Sequence, residues 1–211
     1  MSTDFEAARE SLVSRLASRQ RIERESTLEA MGAVPRHEFV PERHRQEAYA
    51  DRPLPIGDGA TISAPHMVAM MVDELALEPG DRVLEVGTGC GYHAAVTAEV
   101  VGAANVFSVE YSEQLAAQAR ERLDRLGYGD ISIRTGDGRE GWPEHAPYDA
   151  AYLTCAAAEF PTAVVEQVRP GGRLLAPIGT GSQRLVGATR RADGSLETQD
   201  LGGVRFVRMQ G

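Results

Sequence analysis

Three glycines at alternate positions follow a short apolar run, and they constrain the fold more than any other feature of the chain. The stretch reads VLEVGTGCGY over residues 83–92, and it places Gly87, Gly89 and Gly91 directly after the apolar residues. Glycine lacks a Cβ atom, so the backbone can turn sharply and lie against a ligand. The pattern predicts a strand, a tight turn that contacts a nucleoside, and a helix that begins near Gly91.

The spacing of the glycines separates two classes of nucleotide-binding protein. A dinucleotide-binding loop reads G-x-G-x-x-G and presents a helix N-terminus to a pyrophosphate. Here the loop reads G-x-G-x-G, and Tyr92 stands where the last dinucleotide glycine would be. The loop resembles that of S-adenosylmethionine-dependent methyltransferases, whose cofactor carries a sulfonium and no phosphate. The residues of this segment expected to contact the cofactor are Glu85, Gly87, Thr88, Gly89 and Cys90.

The chain from residue 82 onward alternates strand-like and helix-like runs. Strands are expected at 82–86, 105–109, 131–134, 148–154 and 173–177, and helices at 91–101, 112–126 and 161–168. This alternation predicts an α/β fold with a Rossmann-like, doubly wound and mostly parallel sheet. Asp193-Gly194 lies between two further strand-like runs, 184–190 and 196–201, and indicates a C-terminal hairpin.

Helical spacing predicts an amphipathic helix over residues 5–22 and a second helix from Ser26, where Ser26 and Glu29 match a capping box. Prolines break helical order at 34–41 and 51–57, and Ser63 stands as N-cap before a helix over 64–77. We expect one methyltransferase domain over 1–211. Its parts are an N-terminal cover (1–57), a cofactor-binding core (58–180) and C-terminal strands (181–211).

Ligands of such sheets lie beyond the carboxyl ends of the strands. Glu110 ends the second strand about 20 residues past the glycine loop, where a carboxylate can accept hydrogen bonds from two ribose hydroxyls. Asp137 is a candidate acceptor for the adenine amino group, and Gly138 is expected at the cofactor beside it, although Asp-Gly is also a common turn. Thr154 begins a run of small residues beside the expected path of the methyl group; the alternative is an ordinary helix start.

The composition limits partners and compartment. The 211 residues carry a net charge of −9, which disfavours nucleic acid and anionic membranes as partners. All 22 basic residues are Arg, which indicates either adaptation to high salt or a GC-rich genome. The sequence shows neither an apolar stretch long enough to span a membrane nor a signal peptide, so we expect a cytoplasmic protein. We also expect a monomer. Cys90 and Cys155 follow strands that we expect to be neighbours in the sheet. They are either two reduced thiols or a redox-sensitive pair.

Seven segments carry a more specific resemblance. They are VPRHEFVPE (34–42), YADRPLPIG (49–57), ATISAPHM (60–67), VLEVGTGCGYHAAV (83–96), GDGREGWPEHAPYDA (136–150), PGGRLLAPIG (170–179) and VRFV (204–207). The chain resembles the protein-L-isoaspartate O-methyltransferase family. The resemblance implies methyl transfer from S-adenosylmethionine to the α-carboxylate of L-isoaspartyl residues in damaged proteins. It also implies that Ser63 is the active-site residue and that Ala60, Thr61 and Ile62 lie near the cofactor.

The chain departs from the family pattern at several positions. Cys90 replaces a usual Ser, His93 a usual Gln and Ala158 a usual Pro, and Tyr111, also expected at the cofactor, stands where many relatives carry Arg or His. Three other functions compete with the family interpretation. They are methylation of RNA or a small molecule, NAD-dependent oxidation, which Tyr92 disfavours, and a binding module without catalysis.

Overall fold

A computed structural model describes residues 4–19 and 22–211, and its centre is a seven-stranded sheet. The helices are α1 (Phe5–Arg19), α2 (Glu25–Ala33), α3 (Pro65–Leu75), α4 (Tyr92–Val101), α5 (Glu113–Arg125) and α6 (Thr162–Gln167). The strands are β1 (Leu54–Gly57), β2 (Ala60–Ile62), β3 (Val83–Val86), β4 (Val106–Glu110), β5 (Ser132–Thr135), β6 (Tyr148–Leu153), β7 (Val168–Ile178), β8 (Gln183–Arg190) and β9 (Leu196–Val204). The predicted helix over 5–22 is α1, and part of its predicted end, residues 20 and 21, lies outside the described residues.

The order of strands in the sheet is β5-β4-β3-β6-β7-β8-β9. The first five strands pair in parallel, and β7, β8 and β9 pair antiparallel. Every residue of β3 and β4 is buried, because helices cover both faces of a doubly wound sheet. The predicted Rossmann-like sheet with a C-terminal hairpin is therefore confirmed.

The N-terminal segment packs over one face of this sheet. Leu12 and Leu16 of α1, Met31 of α2 and Phe39 are each at most 1% exposed and share one apolar cluster with α3 and α4. Two short 3-10 helices, Arg36–Phe39 and Glu42–Glu47, occupy the proline-broken stretch. Among the described residues, no helix has the length and apolar character that crossing a membrane requires.

The hairpin of β1 and β2 is not predicted from the sequence, which indicates only that prolines break helical order at 51–57. Leu54 pairs with Ile62, and the turn between the strands is formed by Asp58 and Gly59 with φ of 49° and 70°. Asp-Gly suits a two-residue turn in which both residues adopt positive φ. The hairpin places Ala60 to Ser63 in front of the sheet.

Both helix caps predicted from sequence are wrong, because distant aspartates bind the helix starts instead. Helix α2 begins at Glu25, with Ser26 inside its first turn, and Arg24 at its N-cap makes no side-chain cap. Asp73 of α3 accepts hydrogen bonds from the backbone N–H groups of Glu23 and Arg24, at 3.1 and 3.0 Å.

The N-cap of α3 is Ala64, not Ser63, and it makes no side-chain cap either. Asp51 Oδ1 instead accepts from the backbone N–H of His66 at 2.9 Å and lies 2.8 Å from the Nδ1 atom of the same residue. The hydroxyl of Ser63 is therefore left available for another role.

We expect Asp73→Ala to destabilise the fold by about 1 kcal/mol, the typical effect of losing a helix cap. For a chain of this length the melting temperature is then expected to fall by about 2 to 4 °C. Ser26→Ala is the matched control, since the exposed Ser26 makes no cap. Equal melting temperatures for the two variants would contradict this assignment of the cap.

Candidate cofactor site and active site

The site lies where the strand order of the sheet reverses. The chain passes from β3 outward to β4 and β5, then returns to β6 on the opposite side of β3. Gly87 follows β3 and Thr154 follows β6, and Thr154 donates from its backbone N–H to Val86 and from its hydroxyl to Gly87 O. Ligands of open α/β sheets bind at this kind of crevice.

The glycine loop adopts a backbone that side chains would block. Gly87 has a φ of 98°, and a Cβ atom there would collide with the hydroxyl of Thr154. Gly91 has a φ of 88°, and a Cβ atom there would lie 3.0 Å from Leu123 Cδ1. Both glycines are therefore required by conformation and by close packing.

A cavity of about 80 Å³, open in part to solvent, borders this loop. Eight of the residues predicted from sequence line it: Ala60, Thr61, Gly87, Gly89, Glu110, Tyr111, Gly138 and Thr154. We name it the cofactor cavity.

Glu110 joins the glycine loop to the end of β4. Its Oε2 atom accepts from the backbone N–H of Gly89 at 2.8 Å, and its Oε1 atom accepts from that of Ser112 at 3.0 Å. The residue is 8% exposed and faces the cofactor cavity. A carboxylate offers about four acceptor positions, so both oxygens can still accept from ribose hydroxyls.

A second, smaller cavity of about 40 Å³ adjoins the first and shares Thr61, Gly87, Gly89 and Thr154 with it. We name it the inner chamber. Three further residues predicted at the cofactor, Ile62, Thr88 and Cys90, line the inner chamber, and so does Ser63. Thr88 is not free to rotate, since its hydroxyl lies 2.6 Å from that of Ser108. The predicted active-site residue thus lies next to the glycine loop.

Glu85 lies in neither cavity. Its side chain is fully buried and accepts hydrogen bonds from Ser108 Oγ at 2.5 Å and from Tyr152 OH at 2.9 Å. Burial raises the pKa of Glu85 to about 8, against the opposing effect of these two hydrogen bonds. The structure therefore places Glu85 within the sheet, away from the walls of the cavities.

Asp137 is engaged by its own neighbour. Its carboxylate caps the short helix Gly138–Glu140 and binds the backbone N–H and the Nε atom of Arg139, at 2.9 Å and 3.1 to 3.2 Å. The arginine hydrogen bonds lower the pKa of Asp137. Gly138 lines the cofactor cavity and Asp137 does not, so any contact with an adenine amino group competes with Arg139.

Residues 207–210 line the cofactor cavity, although sequence reasoning did not place them there. Ala156 brings them into place, because its backbone N–H donates to Val207 O at 2.8 Å and its carbonyl accepts from Met209 N–H at 2.9 Å. Val207 and Tyr111, at 39% and 51%, are the large apolar side chains most exposed in the described structure, and both border this cavity. The exposure of these two side chains marks the cavity wall in the structure, and it cannot be read from the sequence alone.

The two cysteines are free thiols. They follow β3 and β6, and the prediction that these strands are neighbours is confirmed by their parallel pairing. Burial raises the pKa of Cys155 to about 12 and also raises that of Cys90, so both thiols stay protonated near neutral pH.

We expect Glu85→Gln to change how stability depends on pH. The pKa of Glu85 is raised in the folded state, so the folded protein holds a proton that the unfolded chain releases above about 4.5. Wild-type stability is therefore expected to fall as the pH rises from about 5 to 8, whereas the Gln variant lacks this contribution.

Melting temperatures of both proteins across this range test the prediction, with the exposed Glu140→Gln as the control. A constant difference between wild type and the Glu85 variant at every pH would contradict it.

The sheet order, the glycine loop and the position of the cavity define the fold class as a Rossmann-like, class I methyltransferase. The family model "Protein-L-isoaspartate(D-aspartate) O-methyltransferase" matches residues 7–211. The chain belongs to this family.

Curated relatives agree over nearly the full chain. A protein-L-isoaspartate O-methyltransferase 2 of Archaeoglobus fulgidus is 48% identical over 209 residues, which cover 99% of this chain and 95% of the relative. A protein-L-isoaspartate O-methyltransferase of Brucella anthropi is 45% identical over 210 residues, with the same coverage.

Solved structures are similar as well. A protein-L-isoaspartate O-methyltransferase superposes with a TM-score of 0.89 at 31% identity, over 96% of this chain and 66% of that longer chain. A Plasmodium falciparum structure, described as a putative protein-L-isoaspartate O-methyltransferase in complex with S-adenosyl-L-homocysteine, gives a TM-score of 0.82 at 26% identity. It covers 96% of this chain and 98% of its own.

Proposed function

We propose that the chain transfers the methyl group of S-adenosylmethionine to the α-carboxylate of L-isoaspartyl residues in damaged proteins and so starts their repair. The observation that carries the proposal is the family match over residues 7–211, which includes both Ser63 and the glycine loop. In the structure Ser63 borders the inner chamber, which shares four residues with the cofactor cavity. The methyl donor in the cofactor cavity and the acceptor carboxylate at Ser63 can therefore meet where the two cavities join.

The residues present fit the cofactor. The bare backbone at Gly87 and Gly89 borders the cavity, and the Glu110 carboxylate at its wall suits the two hydroxyls of a ribose. We propose Ala60, Thr61, Tyr111, Gly138 and Thr154 as further contacts, on the ground that they line the same cavity. When bound, the cofactor supplies a methyl group on a positively charged sulfur.

The protein's part in the reaction is to position the two reactants. A carboxylate is ionised at neutral pH, so the acceptor needs no general base. Holding two reactants in contact accounts for a large share of a rate enhancement by itself. Ser63 donates its hydroxyl hydrogen to the acceptor carboxylate, a role left open because Ser63 does not cap α3.

Repair requires only the methyl transfer from the enzyme. A methyl ester can expel methoxide, whereas a free carboxylate has no comparable leaving group. The neighbouring backbone amide nitrogen therefore attacks the ester carbonyl, the C–O bond to the methoxy group breaks, and methoxide takes up the amide proton and leaves as methanol. The resulting succinimide then hydrolyses in water. Because ring closure and hydrolysis follow without the enzyme, a site that orients the methyl donor and the acceptor carboxylate suffices for repair.

We further propose that the chain acts as one methyltransferase unit and as a monomer in the cytoplasm, on proteins and not on nucleic acid or membranes. The net charge of −9 opposes binding to phosphate backbones and anionic lipids. Two free, protonated thiols suit a reducing compartment.

We expect Glu110→Ala to weaken binding of S-adenosylhomocysteine by about 10-fold or more, because two charge-assisted hydrogen bonds to the ribose are lost. Calorimetry measures the affinity, and Glu113→Ala is the control, since Glu113 is an exposed acid at the start of α5. Unchanged affinity in the Glu110 variant would remove Glu110 from the cofactor site.

We expect Ser63→Ala to lower methyl transfer to an isoaspartyl peptide by about 10 to 1,000-fold, because a donor to a reacting oxygen is lost. Affinity for S-adenosylhomocysteine is expected to change less, and Ser26→Ala serves as an exposed control. The assay compares the isoaspartyl peptide with its aspartyl twin and with RNA. Equal methylation of both peptides, or methylation of RNA alone, contradicts the proposed function and favours another methyltransferase activity.

A further inference from the structure

A buried imidazole without a hydrogen-bond partner forms part of the inner chamber. His93 lies in the first turn of α4, is 6% exposed, and lines the chamber with Ser63, Thr88 and Cys90. Within the described residues, neither ring nitrogen of His93 has a hydrogen-bond partner. One face of the ring packs against Tyr152, with ring centroids 4.4 Å apart. A buried polar group without a partner destabilises the fold, so we expect a ligand or a water at this imidazole.

The hydrogen-bonding state of the imidazole is set by its surroundings. Burial lowers the pKa of His93 to about 3, so the ring is neutral near pH 7 and offers one N–H donor and one acceptor nitrogen. The ring of Tyr152 packs against His93, but the Tyr152 hydroxyl donates to Glu85 at 2.9 Å. The N–H group of His93 therefore takes no part in the hydrogen bonds between Tyr152 and Glu85.

The electrostatics of the chamber favour an anion. The chamber borders the N-terminal end of α4, where unpaired backbone N–H groups and the helix dipole attract negative charge. Its lining residues in the described structure include no Asp and no Glu, in a protein with 31 acidic residues. Ser63 adds a hydroxyl donor from the opposite element, the segment between β2 and α3.

We propose that the inner chamber binds a carboxylate and that His93 donates a hydrogen bond to it together with Ser63. The inference rests on the proposed function, which brings two carboxylates to this place. One is the α-carboxylate of the isoaspartyl acceptor, and the other is the carboxylate at the methionyl end of the cofactor. His93 is thus assigned as a binding residue for one reactant, in addition to Ser63.

A matched pair of variants separates hydrogen bonding from packing. His93→Leu fills a similar volume against Tyr152 without a donor, whereas His93→Gln retains an N–H donor. We expect the Leu variant to lose about 10-fold or more in affinity for the ligand whose carboxylate enters the chamber, and the Gln variant to recover most of it. Melting temperatures of both variants without ligand report on folding.

Nuclear magnetic resonance of the histidine rings identifies the ligand without turnover. S-adenosylhomocysteine is added first, then an isoaspartyl peptide, and in parallel the same peptide with an α-carboxamide; the His93→Gln variant assigns the His93 signal. A shift on adding S-adenosylhomocysteine, with weaker binding of it by the Leu variant, assigns the methionyl carboxylate. A shift only with the carboxylate peptide, with a raised KM in the Leu variant, assigns the acceptor.

The inference is overturned if neither ligand shifts the His93 signal, or if the Leu variant binds both ligands as wild type does. It is also overturned if the Gln and Leu variants are equally impaired, since shape alone then explains the effect. Failure of the proposed function has a different signature, namely wild-type enzyme that does not prefer the isoaspartyl peptide to its aspartyl twin.

Discussion

The carboxylate of Glu110 holds the glycine loop by the backbone N–H of Gly89, at 2.8 Å, and the cofactor cavity takes its form from this contact. The loop cannot carry side chains at Gly87 or Gly91, because Thr154 and Leu123 occupy the space. Within the loop only Thr88 and Cys90 carry side chains, and Thr88 is tied to Ser108 on the neighbouring strand. An acid on the neighbouring strand therefore supplies the rigidity, and the same acid faces the ligand.

A chain of buried polar side chains lies inside the sheet, behind the glycine loop and the two cavities. Glu85, Ser108, Thr88, Tyr152 and Thr97 form a continuous buried chain of hydrogen bonds behind the cavities. Hydroxyl groups both donate and accept, so this chain can satisfy Glu85 with or without its proton. His93 packs against Tyr152 but takes no part in this chain of hydrogen bonds, and its ring lines the inner chamber with both nitrogens unpaired within the described structure.

The sequence predicts the core of the fold well because strands buried on both faces read as short apolar runs, and Val83–Val86 is such a run. Glu110, Gly87 and Gly89, which are predicted from strand ends, line one cavity, since strand ends in a parallel sheet share one edge. Their contact with the cofactor stays a prediction. Features fixed by long-range contacts escaped prediction. Asp73 and Asp51 replace the local caps at Ser26 and Ser63, and Ala156 draws residues 207–209 to the cavity. The contact between Arg139 and Asp137 has a different origin, because it is local and depends on a backbone geometry that the letters Asp-Gly-Arg do not reveal.

A crystal structure with S-adenosylhomocysteine and an isoaspartyl peptide tests the central claim most directly. The account predicts both ribose hydroxyls on the Glu110 carboxylate, and the peptide α-carboxylate within hydrogen-bond distance of the Ser63 hydroxyl and directed at the sulfur. A ribose bound away from Glu110, or an α-carboxylate remote from both Ser63 and the sulfur, would contradict it.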